Sequence, residues 1–125
     1  NRLGDRYDLF TGVDNLAYEA FAVGAVGWVA GLVIAFPDET VAIYRLMKAG
    51  RHAEALAIYQ WFRPLLDLDV STYLVHNLKL VETLVIESND RMRAPRMPLH
   101  GEQRAAIERL VRTALDSRPK LPNLD

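Results

Sequence analysis

No cysteine occurs in the 125 residues. That excludes disulfides, thiolate nucleophiles and cysteine-based zinc sites together, and it fits the cytoplasmic setting expected for the protein. Histidine is nearly as scarce. His52, His76 and His100 are scattered, with no HExxH and no i, i+4 pair, so neither a metal site nor a cofactor is expected. An excess of either charge is missing too: fifteen Lys and Arg face sixteen Asp and Glu, for a net charge of −1. The balance gives no reason to expect nucleic acid or an anionic membrane as partner. Arg91, Arg93 and Arg96 form a short basic cluster, but Glu87 and Asp90 sit beside it, and it reads as a solvated loop. No basic segment precedes an apolar one, so no signal peptide is visible; a start at Asn1 is consistent with a piece of a longer chain.

What is present is one ordinary domain's worth of chain, half hydrophobic and a quarter charged. Its most unusual stretch is AFAVGAVGWVAGLVIAF, Ala20 to Phe36. A membrane helix needs about 20 apolar residues. This run is shorter, its downstream flank PDE is acidic, and Gly24, Gly27 and Gly31 interrupt it. It reads better as two elements. Asn15 to Gly24 has helical periodicity through Leu16, Phe21 and Val23, with Asp14 as N-cap and Gly24 as C-terminal cap. Gly27 to Val33 is short and continuously apolar, the pattern of a parallel strand buried on both faces. Tyr7 to Gly12 reads as a second strand ending at a glycine. Strand, helix, strand is the right-handed crossover unit of a parallel sheet. Ligands bind such sheets at the carboxyl ends of the strands, here Thr11 to Asp14 and Leu32 to Ala35.

The remainder predicts helices. One starts at Pro37, with Asp38 and Glu39 in its first turn, Lys48 in its last, and Gly50 closing it. The next carries Ala55, Ile58, Tyr59, Phe62, Leu65 and Leu66 at helical spacing, with Pro64 expected to kink or end it. Ser71 or Asp69 can cap a third, with a stripe of Leu74, Leu78, Val81 and Val85. After a loop containing Pro95 and Pro98, the last helix turns Ile107, Leu110, Val111 and Leu115 inward. The tail from Arg118 is irregular.

Two parallel strands alone leave apolar edges unpaired. The sequence therefore implies strands supplied from elsewhere. The stretch LFTGVDNLAYEAFAVGAVGWVAGLVIAFPDETVAIYRLMKAGRHAEALAIYQWFRPL, followed by RMPLHGEQRAAIERLV, resembles the C-terminal part of the dihydrodipicolinate synthase / N-acetylneuraminate lyase superfamily. The resemblance covers nearly the whole chain, and AIYQWFRPLLDLD with KLVE looks closest to the 1-pyrroline-4-hydroxy-2-carboxylate deaminase branch. It implies an α/β fold: residues 1–36 as the last βαβ unit of a (β/α)8 TIM barrel, holding its last two parallel strands, and 37–125 as a mainly helical C-terminal region. It also implies a lyase, deaminase or dehydratase that forms a Schiff base with a small 2-oxo acid or cyclic imino acid. The family's lysine lies on the sixth strand, which Lys48, Lys79 and Lys120 do not match, so no catalytic residue is assigned here. By the same resemblance Gly12, Val13, Asp14 and Val29 line the substrate pocket. Ile34 stands where many relatives have Asn. The implied partners are the remainder of the barrel, from an upstream segment or a second chain, and the substrate, within a homotetrameric complete enzyme. The alternatives are a non-enzymatic helical interaction module anchored by Trp28, Trp61 and Phe62, and a small membrane-associated protein.

Overall fold

The computed structural model describes residues 4–124; of the two regions expected from the sequence, residues 1–3 of the first and 125 of the second lie outside it. Among the described residues the chain is mostly helical, with two parallel strands. β1 is Phe10–Thr11 and β2 is Gly27–Trp28, joined by α1, Ala17–Ala22. Four longer helices follow: α2, Pro37–Lys48; α3, His52–Leu66; α4, Leu74–Val85; and α5, Gly101–Asp116.

The helical body holds the core. Phe36, Ile43, Leu46, Phe62, Leu65, Leu66, Val81 and Val111 are fully excluded from solvent. The rings of Phe36 and Phe62 meet edge to face at 5.4 Å, and the Trp61 indole donates to the Ala114 carbonyl at 3.0 Å, tying α3 to α5. Pro37 occupies the first turn of α2, where its missing N–H leaves nothing unpaired. Gly50, at φ +72, ends that helix: its N–H reaches Met47 and the Arg51 N–H reaches Leu46, closing the turn as a Schellman motif. Glu39 in the first turn of α2 is buried and paired with Arg118, whose guanidinium also lies 5.6 Å from the Phe36 ring centre. One ion pair thus fastens the end of α5 to the start of α2.

The parallel crossover expected from the sequence is present, in the register Phe10 with Gly27 and Thr11 with Trp28. Bonds from Val26 N–H to the Leu9 carbonyl and from Val29 N–H to the Thr11 carbonyl, both 2.8 Å, extend the pairing at either end. Both strands are shorter than the 7–12 and 27–33 expected. β2 stops because the Gly31 and Leu32 N–H groups turn to the Asp14 carboxylate, and Leu32–Ile34 form a 3-10 turn instead. Burial on both faces is not met within this chain either: Phe10 is 64% exposed and Val29 70%.

The helix expected from Asn15 begins as a 3-10 turn, Asp14–Leu16, before α1. Asp14 does not cap it. Val13 holds the N-cap position without a side-chain bond, since the Asp14 carboxylate is engaged elsewhere. Nor do Leu16 and Val23 face inward. Ala17 is buried, with Tyr18 and Phe21 packed on the core, because the 3-10 start rotates the apolar face. Gly24, at φ +107, does end α1, with its N–H to Phe21 and the Ala25 N–H to Ala20. In α3, Pro64 does not end the helix, which runs on to Leu66 before a 3-10 turn, Asp67–Val70. In α4 the expected stripe packs on the core through Leu78, Val81 and Val85, and the buried face takes in Asn77 and Leu80 as well. Ser71 caps the turn before α4 through the Tyr73 N–H at 3.1 Å. The inward face of α5 is as expected, with Ala114 added.

Candidate functional site at the carboxyl ends of the strands

The structure brings Gly12 and Val29 together. The ladder places them opposite one another just beyond β1 and β2, and a Cβ built on Gly12 would lie 3.9 Å from the Val29 carbonyl oxygen, an ordinary contact. Gly12 also has an unremarkable φ. So neither a turn nor a crowded neighbour in this chain demands glycine there. Val13 follows, 42% exposed. All three therefore stand open at one end of the strand pair.

Asp14 is different in kind: it has no exposed surface. A buried carboxylate is costly unless its oxygens are bonded. Here Oδ1 accepts the Trp28 indole N–H at 2.9 Å, and Oδ2 accepts the Gly31 and Leu32 N–H groups at 3.0 and 2.8 Å. These donors come from both sides of Val29. Asp69 lies just beyond. A Cβ on Gly31 would come within 2.5 Å of its Oδ1, so a side chain there would have to displace the Asp69 carboxylate. Burial, then repulsion from Asp14, raises the Asp69 carboxyl above the ordinary carboxylate range, while the Asp14 backbone N–H bonds it and works the other way.

Tyr59 on α3 holds the neighbouring turn. Its hydroxyl lies 2.5 Å from the Asn15 carbonyl oxygen and 2.8 Å from the Glu19 carboxylate, the two acceptors sharing its single proton. Burial and the Glu19 carboxylate push the phenol well above its usual range, so it stays protonated. The sequence reads Asp69 as a helix cap and Tyr59 as a core position; their place at this end went unseen because they reach it from distant positions, and no spacing signals that. Trp28 looked like a docking anchor; its indole is instead committed to Asp14.

A separate cleft of about 470 Å³ opens between the strands and α2, lined by Phe10, Trp28, Val33, Val41 and Tyr44 among others. None of Gly12, Val13, Asp14 and Val29 lines it. Its apolar wall runs along the strands and past the end of β2 to Val33, away from the Gly12 end of β1. Lys48 is on α2, Lys79 on α4 and Lys120 beyond α5, so no lysine lies on either strand. Among the described residues no group of three His, Asp or Glu side chains is placed to hold a metal, and no helix is long and apolar enough to cross a membrane.

A parallel strand pair with an α crossover, open at its carboxyl ends and backed by a helical body, makes a mostly helical domain consistent with part of a barrel-like fold. The chain belongs to the dihydrodipicolinate synthetase family, whose sequence profile matches residues 1–114. It is also similar to a solved structure from Pseudomonas aeruginosa assigned as a dihydrodipicolinate synthetase, with 26% identity and a TM-score of 0.78 over 87% of this chain. The chain spans 38% of that protein's length. No curated protein matches it.

Proposed function

We propose that this chain supplies the last βαβ unit, residues 1–36, and the helical C-terminal region, 37–125, of a (β/α)8 barrel enzyme. That enzyme forms a Schiff base with a small 2-oxo acid or cyclic imino acid and carries out aldol cleavage, dehydration or deamination. The observation that carries the reading is the parallel pair itself. Gly12 and Val29 sit side by side at its carboxyl ends, while apolar side chains on the strands stay uncovered. Sheets of this kind bind ligands at that end, and uncovered apolar strands call for further strands. Family membership supports this reaction class.

In this reading Gly12, Val13 and Val29 line the 2-oxo acid, with Asp14 at the same rim. Gly12 leaves space for the substrate, which explains a glycine that neither φ nor packing requires. The Schiff-base lysine comes from the remainder of the barrel, since Lys48, Lys79 and Lys120 lie off the strands. The complete protein is a cytoplasmic homotetramer, without nucleic-acid or membrane partners. The deaminase branch is the narrower reading and rests on the sequence resemblance around Trp61.

Borohydride reduction with pyruvate tests this. The complete protein should gain one covalent adduct, on a lysine outside these 125 residues, and the 125 residues alone should gain none. An adduct on Lys48, Lys79 or Lys120 contradicts the reading.

A further inference from the structure

We infer that Asp14 is the positioning residue of the ligand end: its buried carboxylate clasps both flanks of Val29 and holds that residue against the substrate without touching it. The inference rests on the barrel reading above and assigns Asp14 a role that reading leaves open. Three observations carry it. Asp14 has no surface from which to meet a ligand. Its oxygens are occupied by the Trp28 indole, one residue before Val29, and by the Gly31 and Leu32 N–H groups, two and three residues after it. Val29 in turn uses its own N–H on the Thr11 carbonyl at 2.8 Å, which ties it to the strand that ends at Gly12. So Val29, 70% exposed in this chain, is an open side chain on a segment fixed at each side.

The arrangement needs a carboxylate. Three N–H donors converge on two oxygens, and charged acceptors make the stronger bonds. An asparagine offers one oxygen and turns an NH₂ toward remaining donors, leaving buried groups unpaired. The 28–32 segment then loosens and Val29 loses its fixed place. Substrate affinity falls more than turnover, because Val29 shapes the pocket and takes no part in proton transfer. Asp69 does not substitute for Asp14, since it bonds the Asp14 backbone N–H and approaches Gly31 from outside the clasp.

The test compares Asp14→Asn and Trp28→Phe with the wild-type complete protein. Deuterium exchange across 27–33 is read against α3 as an internal control, together with the half-saturating pyruvate concentration for borohydride trapping. Asp14→Asn should accelerate exchange across 27–33 at least tenfold, leave α3 unchanged and raise half-saturation about tenfold. Trp28→Phe, which removes one donor and keeps the charge, should move both readouts the same way by a smaller factor. It carries the test if Asp14→Asn does not fold. Faster exchange with half-saturation within twofold of wild type makes Asp14 a stabilising residue only and overturns the inference. So does exchange that fails to change. If wild type traps no pyruvate, the Schiff-base reading falls and the inference falls with it; a wild type that traps pyruvate beside variants that keep its half-saturation overturns the inference alone.

Discussion

Phe62 and Phe10 are the same residue in two regions that have met different fates. Phe62 has no exposed surface and packs against Phe36 and Trp61; Phe10 is 64% exposed on a strand. The pattern repeats. Ile43, Leu46 and Val81 of the helical body are sealed, while Val23 and Val29 of the crossover are 86% and 70% exposed. The crossover region is the more apolar of the two and carries fewer charges, yet it is the less buried, so composition does not account for the difference. Completeness does. Each long helix finds its partners inside these residues. β1 and β2 find only one another, and a two-stranded sheet covers neither its faces nor its outer edges.

The largest effect that tests the contrast is a matched pair of truncations. Phe62→Ala should cost about 3–5 kcal/mol, the usual toll of emptying a packed aromatic site. Phe10→Ala in the same 125 residues should cost less than about 1 kcal/mol, because little of the ring leaves a packed environment. Denaturant unfolding followed by circular dichroism reads both. Equal losses would mean that the strand pair is as well packed as the body, and the comparison would break.

Arg118→Ala comes next. It strands the fully buried Glu39 carboxylate, an outcome that costs 3–5 kcal/mol for a wholly buried pair. Arg118 is 39% exposed, so water takes up part of the loss and about 2 kcal/mol is expected. Glu39→Gln should be milder, because it removes the buried charge itself and leaves the partly exposed Arg118 to water. Unfolding midpoints of the two variants give the order, and a milder Arg118→Ala would show that the latch contributes little to the body.

The smallest effect lies at the seam between the regions. The Asp69 carboxyl is raised in the folded chain, by burial first and Asp14 second. The folded protein therefore binds that proton more tightly than the unfolded chain does. The cost of ionising Asp69 is absent below the ordinary carboxylate range, near pH 4, and grows as pH rises through the raised value. Asp69→Asn keeps an acceptor for the Asp14 N–H and removes the charge. It should unfold at higher denaturant than wild type at pH 7, with the gap closing as pH falls toward about 4. A gap that widens on acidification would reverse the sign and contradict the stated cause.

The helical body was legible because its signals are local. Pro37 at a helix start, Gly24 and Gly50 at helix ends, and the apolar spacing of α3 and α5 each act within a few residues, and each appears where expected. The strand pair was legible as a crossover but not in its extent. β2 ends early because Asp14, seventeen residues before Gly31, takes the N–H groups that a longer ladder would use. The same distant bond removed Asp14 from its expected place as a helix cap. At the candidate site, Gly12 and Val29 come together as the crossover requires, whereas the support beneath them, from Tyr59 and Asp69, is assembled by tertiary packing. The stripe of α4 was legible in part: Leu78, Val81 and Val85 pack inward, but Asn77, buried on its bonds to the Leu68 carbonyl and Ser71, gives no apolar signal.

The central claim is that the uncovered strand faces belong against further strands. Sedimentation of the 125 residues by themselves, beside a Phe10→Lys/Val29→Lys variant, tests it most directly. Wild type should self-associate as concentration rises, bind a hydrophobic dye and unfold with poor cooperativity. The double variant should sediment as a monomer with unchanged helical circular dichroism. A wild-type chain that stays monomeric at all concentrations, binds no dye and unfolds in one sharp transition would contradict the account.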